Sequence, residues 1–161
     1  METLEQNRKF KTMKNVTRRQ ALAIGGSALV VAVVGIKPAF AENKSQEKIK
    51  EFTGGKAAKE GKITLDLPEI AENGNTVPIS LSVDSPMSKD DYVKRVLVVA
   101  DGNPRGGVAT FHFSPGSGVA EASTRMRLAK TQNVVAVAEM SDGSFYTASK
   151  QVKVTIGGCG G

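Results

Sequence analysis

The stretch Val93-Lys94-Arg95-Val96-Leu97-Val98-Val99-Ala100 is almost continuously apolar and rich in β-branched residues. Such side chains suit a pleated surface, and an unbroken apolar run of this length predicts a central strand covered on both faces. Around it the sequence keeps a period of two. Upstream, Ile63, Leu65 and Leu67 alternate with Lys62, Thr64 and Asp66, and Pro68 closes the segment. After a turn at Asn73-Gly74-Asn75, Val77, Ile79, Leu81 and Val83 alternate with Pro78, Ser80 and Ser82. Pro78 has no N–H to donate, so this strand, or at least that end of it, is expected at a sheet edge.

Downstream the alternation continues. Ala109, Phe111 and Phe113 share one face; Ala122, Thr124, Met126 and Leu128 are expected inward against Glu121, Ser123, Arg125 and Arg127 outward. A strand over 134–139 leads to the hairpin signal Asp142-Gly143, then to strands over 144–149 and 152–156, with Val152, Val154 and Ile156 inward. About eight short strands punctuated by turn residues predict an all-β, immunoglobulin-like antiparallel β-sandwich over residues 61–156. Ahead of it, residues 42–60 read as a helical lead-in. Ile49 and Phe52 stand three apart among charged residues, which predicts a short N-terminal helix on the domain edge.

Residues 1–41 read as an export signal cleaved before Glu42. A basic segment ends at Arg18-Arg19, an apolar run spans Ala21 to Ile36, and Ala39-Phe40-Ala41 supplies small residues at a cleavage site. Thr17-Arg18-Arg19-Gln20-Ala21-Leu22 adds the twin-arginine feature, which predicts a periplasmic protein. The 16-residue run falls short of the ~20 residues that span a bilayer, so no membrane association is expected after cleavage. The signal holds seven of the 22 Lys/Arg and two of the 16 Asp/Glu, leaving fifteen against fourteen in the remainder. With that near-neutral balance and no run of basic residues, nucleic-acid binding has no support.

The chain has one cysteine, Cys159, in Gly157-Gly158-Cys159-Gly160-Gly161. A lone cysteine is ordinarily a small buried hydrophobe, and glycine-rich ends ordinarily fray. A thiol between two glycine pairs fits neither reading, because a glycine tail with no other side chains gives it nothing to pack into. Gly157, Gly158, Gly160 and Gly161 are expected to form a flexible arm that delivers Cys159 to a pocket on another molecule. A thiol with an ordinary pKa of about 8.5 is only a few per cent thiolate near neutrality, so activation must come from whatever binds the arm.

Enzymatic chemistry finds little support. The single histidine, His112, alternates with Phe111 and Phe113 and belongs on an outer face or at an interface. A tethered cysteine does not hold the geometry that a Cys–His pair needs, and Cys159 with His112 leaves zinc two ligands short. No paired carboxylates stand out. No catalytic residue, metal or cofactor is therefore expected. Two alternatives stay open: an interaction module joined through an intermolecular disulfide, and an independent thiol enzyme.

The C-terminal KVTIGGCGG (153–161) resembles the end of the SoxY family, sulfur carriers of the periplasmic thiosulfate-oxidising Sox system. EFTGG (51–55), PEIAENGNTVP (68–78), VATFHFSP (108–115) and TRMRLAKTQNVVAVAEMSDGS (124–144) are similar to the same family. The resemblance implies that Cys159 carries sulfur as an S-thiosulfonate and then a persulfide. It implies a heterodimer with a second β-sandwich subunit, SoxZ, and transient encounters with the c-type cytochrome SoxXA, the hydrolase SoxB and, where present, the sulfane dehydrogenase SoxCD. A partner that lacks a signal agrees with twin-arginine export of a folded pair. Arg125, Arg127 and His112 are the outward residues expected at interfaces.

Overall fold

A computed structural model describes residues 44–157 of the chain. The export signal and residues 158–161, Cys159 among them, lie outside the described residues.

A ten-residue helix, α1 (Lys44–Thr53), precedes nine strands: β1 (Lys59–Glu60), β2 (Ile63–Asp66), β3 (Ile70–Asn73), β4 (Val77–Val83), β5 (Val93–Ala100), β6 (Gly107–His112), β7 (Ala120–Met126), β8 (Gln132–Met140) and β9 (Phe145–Ile156). One sheet runs β1-β9-β8-β5-β6, with β3 also paired to β9, and the other runs β2-β4-β7. The two sheets enclose a core in which Val77, Val93, Val96, Val98, Leu128, Val134 and Val152 have almost no exposed surface. This is the immunoglobulin-like sandwich, antiparallel except where β1 and β3 run parallel to β9.

The continuous apolar run of β5 follows from what covers it. β5 lies between β8 and β6, both antiparallel to it. Val96, Val98 and Ala100 enter the core between the sheets, while Leu97 and Val99, also buried, point to the opposite face. Helix α1 packs against β5 and β6. It therefore lies on the outer face of the large sheet, not at the domain edge that its sparse apolar spacing suggested. Phe52 meets Phe145 edge-on, with ring centroids 6.1 Å apart, and the Arg95 guanidinium sits 4.4 Å over the Phe52 ring. Arg95 also donates to Glu139, so one cation ties the helix to two strands through a ring face and a carboxylate.

The strands correct several expectations. Residues 145–156 form one twelve-residue strand, not two. The polar Ser149-Lys150-Gln151 reads as an interruption, yet Lys150 keeps the inward phase and sends its amine to the Leu67 carbonyl at 2.8 Å. Pro78 lies in the middle strand of the small sheet, but β2 pairs only with Ser80–Val83, so that end of β4 is free on one side as its missing N–H requires. Thr124 is exposed where an inward side chain was expected, although Met126 two residues on is buried. Ile156, read as the last packed residue, is 69% exposed. Strands β1 and β3 have no clear alternation in the sequence; β1 falls inside the expected lead-in.

The helix docks through a backbone contact that no side chain could share. Gly106 has φ +69°, and a Cβ there would stand 2.7 Å from the backbone nitrogen of Ser45. Gly106→Ala should therefore destabilise the protein by about 1–3 kcal/mol through left-handed strain alone, with the steric clash added. A lower denaturant midpoint with an unchanged m-value is the expected result; an unaltered midpoint would show that α1 does not depend on this contact.

Candidate functional site

The site is the end of β9, because the cysteine-bearing tail follows it in the sequence. Both edges of the strand are occupied there. On one side β8 pairs as far as Gln132 with Val152, and Thr131 then takes over with its hydroxyl, accepting from the Val154 amide at 3.0 Å and donating to the Val154 carbonyl at 3.4 Å. On the other side β3 pairs Ile70 with Lys153, Ala71 with Val154 and Asn73 with Ile156. The Thr155 hydroxyl lies 3.2 Å from the carbonyls of Ala71 and Glu72, and the Lys153 amide donates to Glu69.

The last contacts form a short relay. The Gly74 amide donates to the Ile156 carbonyl at 2.8 Å, and the Gly74 carbonyl accepts from the Leu128 amide at 2.7 Å. One residue on, Gly157 abuts Ala129: a Cβ on Gly157 would collide with the Ala129 carbonyl oxygen. Glycine is thus required at 157 by close approach. Gly157, expected in the flexible arm, thus stands against Ala129 in the structure; Gly158, Gly160 and Gly161 lie outside the described residues.

Beneath Ala129, Asn103 organises the loop. Its Oδ1 accepts from the Ala129 amide at 3.0 Å and from Gln132 Nε2 at 2.9 Å, and its Nδ2 donates to the Arg127 carbonyl at 2.7 Å. Gln132 is buried but satisfied, with its Oε1 accepting from the Gly102 amide at 2.6 Å. The anchor of the tail therefore rests on a rigid polar cluster whose members were not predicted from sequence.

The remaining sequence-predicted residues are placed as follows. His112 is exposed on edge strand β6, opposite Arg95 and away from the face that carries Phe111 and Phe113. Arg125 and Arg127 are exposed, and the fold adds Arg105 beside them, so that all three line a concavity of about 280 Å³. A basic cluster thus exists in three dimensions that no sequence run reveals. A larger, shallow concavity of about 390 Å³ lies over the small sheet, lined by Ser80, Ser82, Ser123, Thr64, Asp66 and Glu121 with no histidine or lysine among them. Among the described residues no three of His, Cys, Asp or Glu gather as metal ligands, and no helix is long and apolar enough to cross a membrane.

Known proteins share this geometry. The family model of the sulfur oxidation protein SoxY matches residues 49–159. The structure of the sulfur carrier protein SoxY from Chlorobium limicola f thiosulfatophilum is similar at 34% identity and a TM-score of 0.60, covering 70% of this chain and 97% of that one. Superoxide reductase (neelaredoxin) from Ignicoccus hospitalis aligns at 16% identity and a TM-score of 0.53 over 58% of this chain and 80% of that one, a likeness of fold alone. A comparison with curated protein sequences gives no match.

The anchor makes its own prediction. Gly157→Ala should push the tail off Ala129 and loosen the relay, so the amides of Gly74 and Leu128 should exchange with solvent faster, by about tenfold for each 1.4 kcal/mol lost, while amides of β5 keep their protection. Unchanged exchange at Gly74 and Leu128 would contradict a close-packed Gly157.

Proposed function

From the premise that the chain belongs to the SoxY family of sulfur oxidation proteins, we propose that it is a covalent sulfur carrier and not an enzyme. The observation that carries this reading is the anchored end of β9. The strand is hydrogen-bonded on the β8 side as far as Val154 and through β3 and Gly74 as far as Ile156, and the only thiol in the sequence follows Gly157 by two residues. Two extended residues reach about 7 Å, a short tether from a fixed origin. In this reading the chemistry of the thiol belongs to the molecules it visits.

In the proposed cycle, Cys159 and thiosulfate join through a new S–S bond with loss of two electrons and one proton, giving Cys–S–S–SO₃⁻; the electrons pass to a c-type cytochrome, SoxXA. Water then attacks the terminal sulfonyl sulfur under SoxB, the S–SO₃ bond breaks, and sulfate and two protons leave the persulfide Cys–S–S⁻. Where SoxCD operates, the outer sulfur is oxidised further before hydrolysis restores the thiol. The carrier works in the periplasm after export by the twin-arginine route, as a heterodimer with SoxZ. Gly160 and Gly161 on the far side of Cys159 keep the arm slim enough for a narrow channel.

Cys159→Ser should abolish thiosulfate-dependent turnover in the reconstituted system while leaving the melting temperature within a degree or so, as expected of a residue set between two glycine pairs after the last strand. Intact mass spectrometry of protein incubated with thiosulfate and the partner cytochrome should show adducts confined to Cys159. Turnover that survives the substitution, or adducts elsewhere, would refute the carrier reading.

A further inference from the structure

Asn73-Gly74 is the one Asn-Gly step in the sequence. It lies where β3 ends beside the end of β9, with Asn73 opposite Ile156. The carboxamide carbon of an asparagine can be attacked by the backbone nitrogen of the next residue, which closes a succinimide ring. Glycine at that next position leaves the approach open, because it has no Cβ to obstruct it. At this step the electrophile is set and the nucleophile is withheld.

Asn73 is exposed, and its Oδ1 accepts from the Asn75 amide at 2.9 Å. That bond folds the carboxamide over the backbone that follows, as in an Asx turn. It also draws electron density from Cγ and places a donor where negative charge gathers when Cγ is attacked. Gly74, by contrast, is buried. To attack, its amide has to shed a proton and turn toward Cγ, yet it donates that proton to the Ile156 carbonyl at 2.8 Å. The Gly74 carbonyl accepts from the Leu128 amide at 2.7 Å, so the peptide units on both sides of the residue are held. An amide bonded in this way meets solvent base only when the bond opens.

We propose that Asn73-Gly74 is a deamidation site kept shut by the end of β9, so that covalent change at Asn73 records how often this end opens. The site does not depend on the carrier reading. In the reaction a solvent base removes the Gly74 amide proton, the nitrogen bonds to Asn73 Cγ, and the Cγ–Nδ2 bond breaks. Ammonia leaves, its last proton returned by solvent. Water then opens the succinimide at either carbonyl and gives aspartate or isoaspartate. No electrons are transferred, and water is the only co-reactant. Isoaspartate routes the backbone through the side-chain methylene, which lengthens β3 at the residue paired with Ile156. As at a bulge, the added link disrupts the ladder locally. The reaction therefore releases, irreversibly, the strand end that had prevented it.

The full chain is incubated at mildly alkaline pH, and deamidation at Asn73 is followed by peptide mass spectrometry, with fragmentation that separates isoaspartate from aspartate. Exchange of the Gly74 amide with solvent is measured on the same samples. Folded chain should react at Asn73 at least about tenfold more slowly than chain unfolded in guanidinium chloride. At guanidinium concentrations below the unfolding transition, the deamidation rate and the Gly74 exchange rate should rise by the same factor. In chain that has reacted to isoaspartate, the Leu128 amide should lose protection while amides of β5 keep theirs. Three results would overturn the guarded site: equal rates in folded and unfolded chain, deamidation that stays level while Gly74 exchange rises, or an isoaspartate chain in which Leu128 stays protected.

Discussion

The structure depends on the two-sided hydrogen bonding of β9. A terminal strand paired on one edge alone would fray from its free end, since each of its last residues would exchange one bond with water at little loss. Here β3 returns from the small sheet to run parallel along the outer edge, and the Gly74 amide closes on the Ile156 carbonyl. Backbone bonds of this kind contribute only about 1 kcal/mol each, but they act in concert over four residues and are joined by the hydroxyls of Thr131 and Thr155. The result is a well-held end to β9. Carriage at a distance needs such an end, because the reach of a tether is defined only if its origin does not wander.

The rest of the domain serves to hold β9 and its neighbours flat. β8 and β5 stand behind it, with the small sheet over one face and α1 packed over the other face of β5 and β6. The helix is short and polar, and a ten-residue helix is marginal in isolation. It persists because Phe52 is gripped between Phe145 and Arg95, and because Gly106 lets the loop come up against the Ser45 backbone. Gly106 and Arg105 are adjacent, so the contact that seats the helix also fixes the loop that carries one of the three clustered arginines.

What was legible in the sequence was what local periodicity controls. The alternation of β4, the two-face burial of β5 and the Asp142-Gly143 hairpin all follow from side chains a few residues apart, and the structure agrees. The tail announced itself by composition. β3 was illegible because its apolar residue, Ile70, is more than half exposed and its stability comes from a partner over eighty residues away. β9 looked broken because Lys150 faces inward, which only the Leu67 carbonyl makes tolerable. The arginine cluster could not be read at all: Arg105 and Arg125 are twenty residues apart, and only the meeting of two sheet edges brings them together.

The division between fold and chemistry can be argued one step further. A catalytic thiol needs a positioned base, and positioning requires that nucleophile and base share a rigid frame. In this chain the thiol follows the end of β9 in a glycine-rich segment, and the one histidine stands exposed on β6 with no carboxylate or lysine bonded to it among the described residues. What the frame supplies is a fixed origin for the tail: β3, Thr131 and the Gly74 amide hold the end of β9, so the fold sets where the cysteine-bearing segment begins.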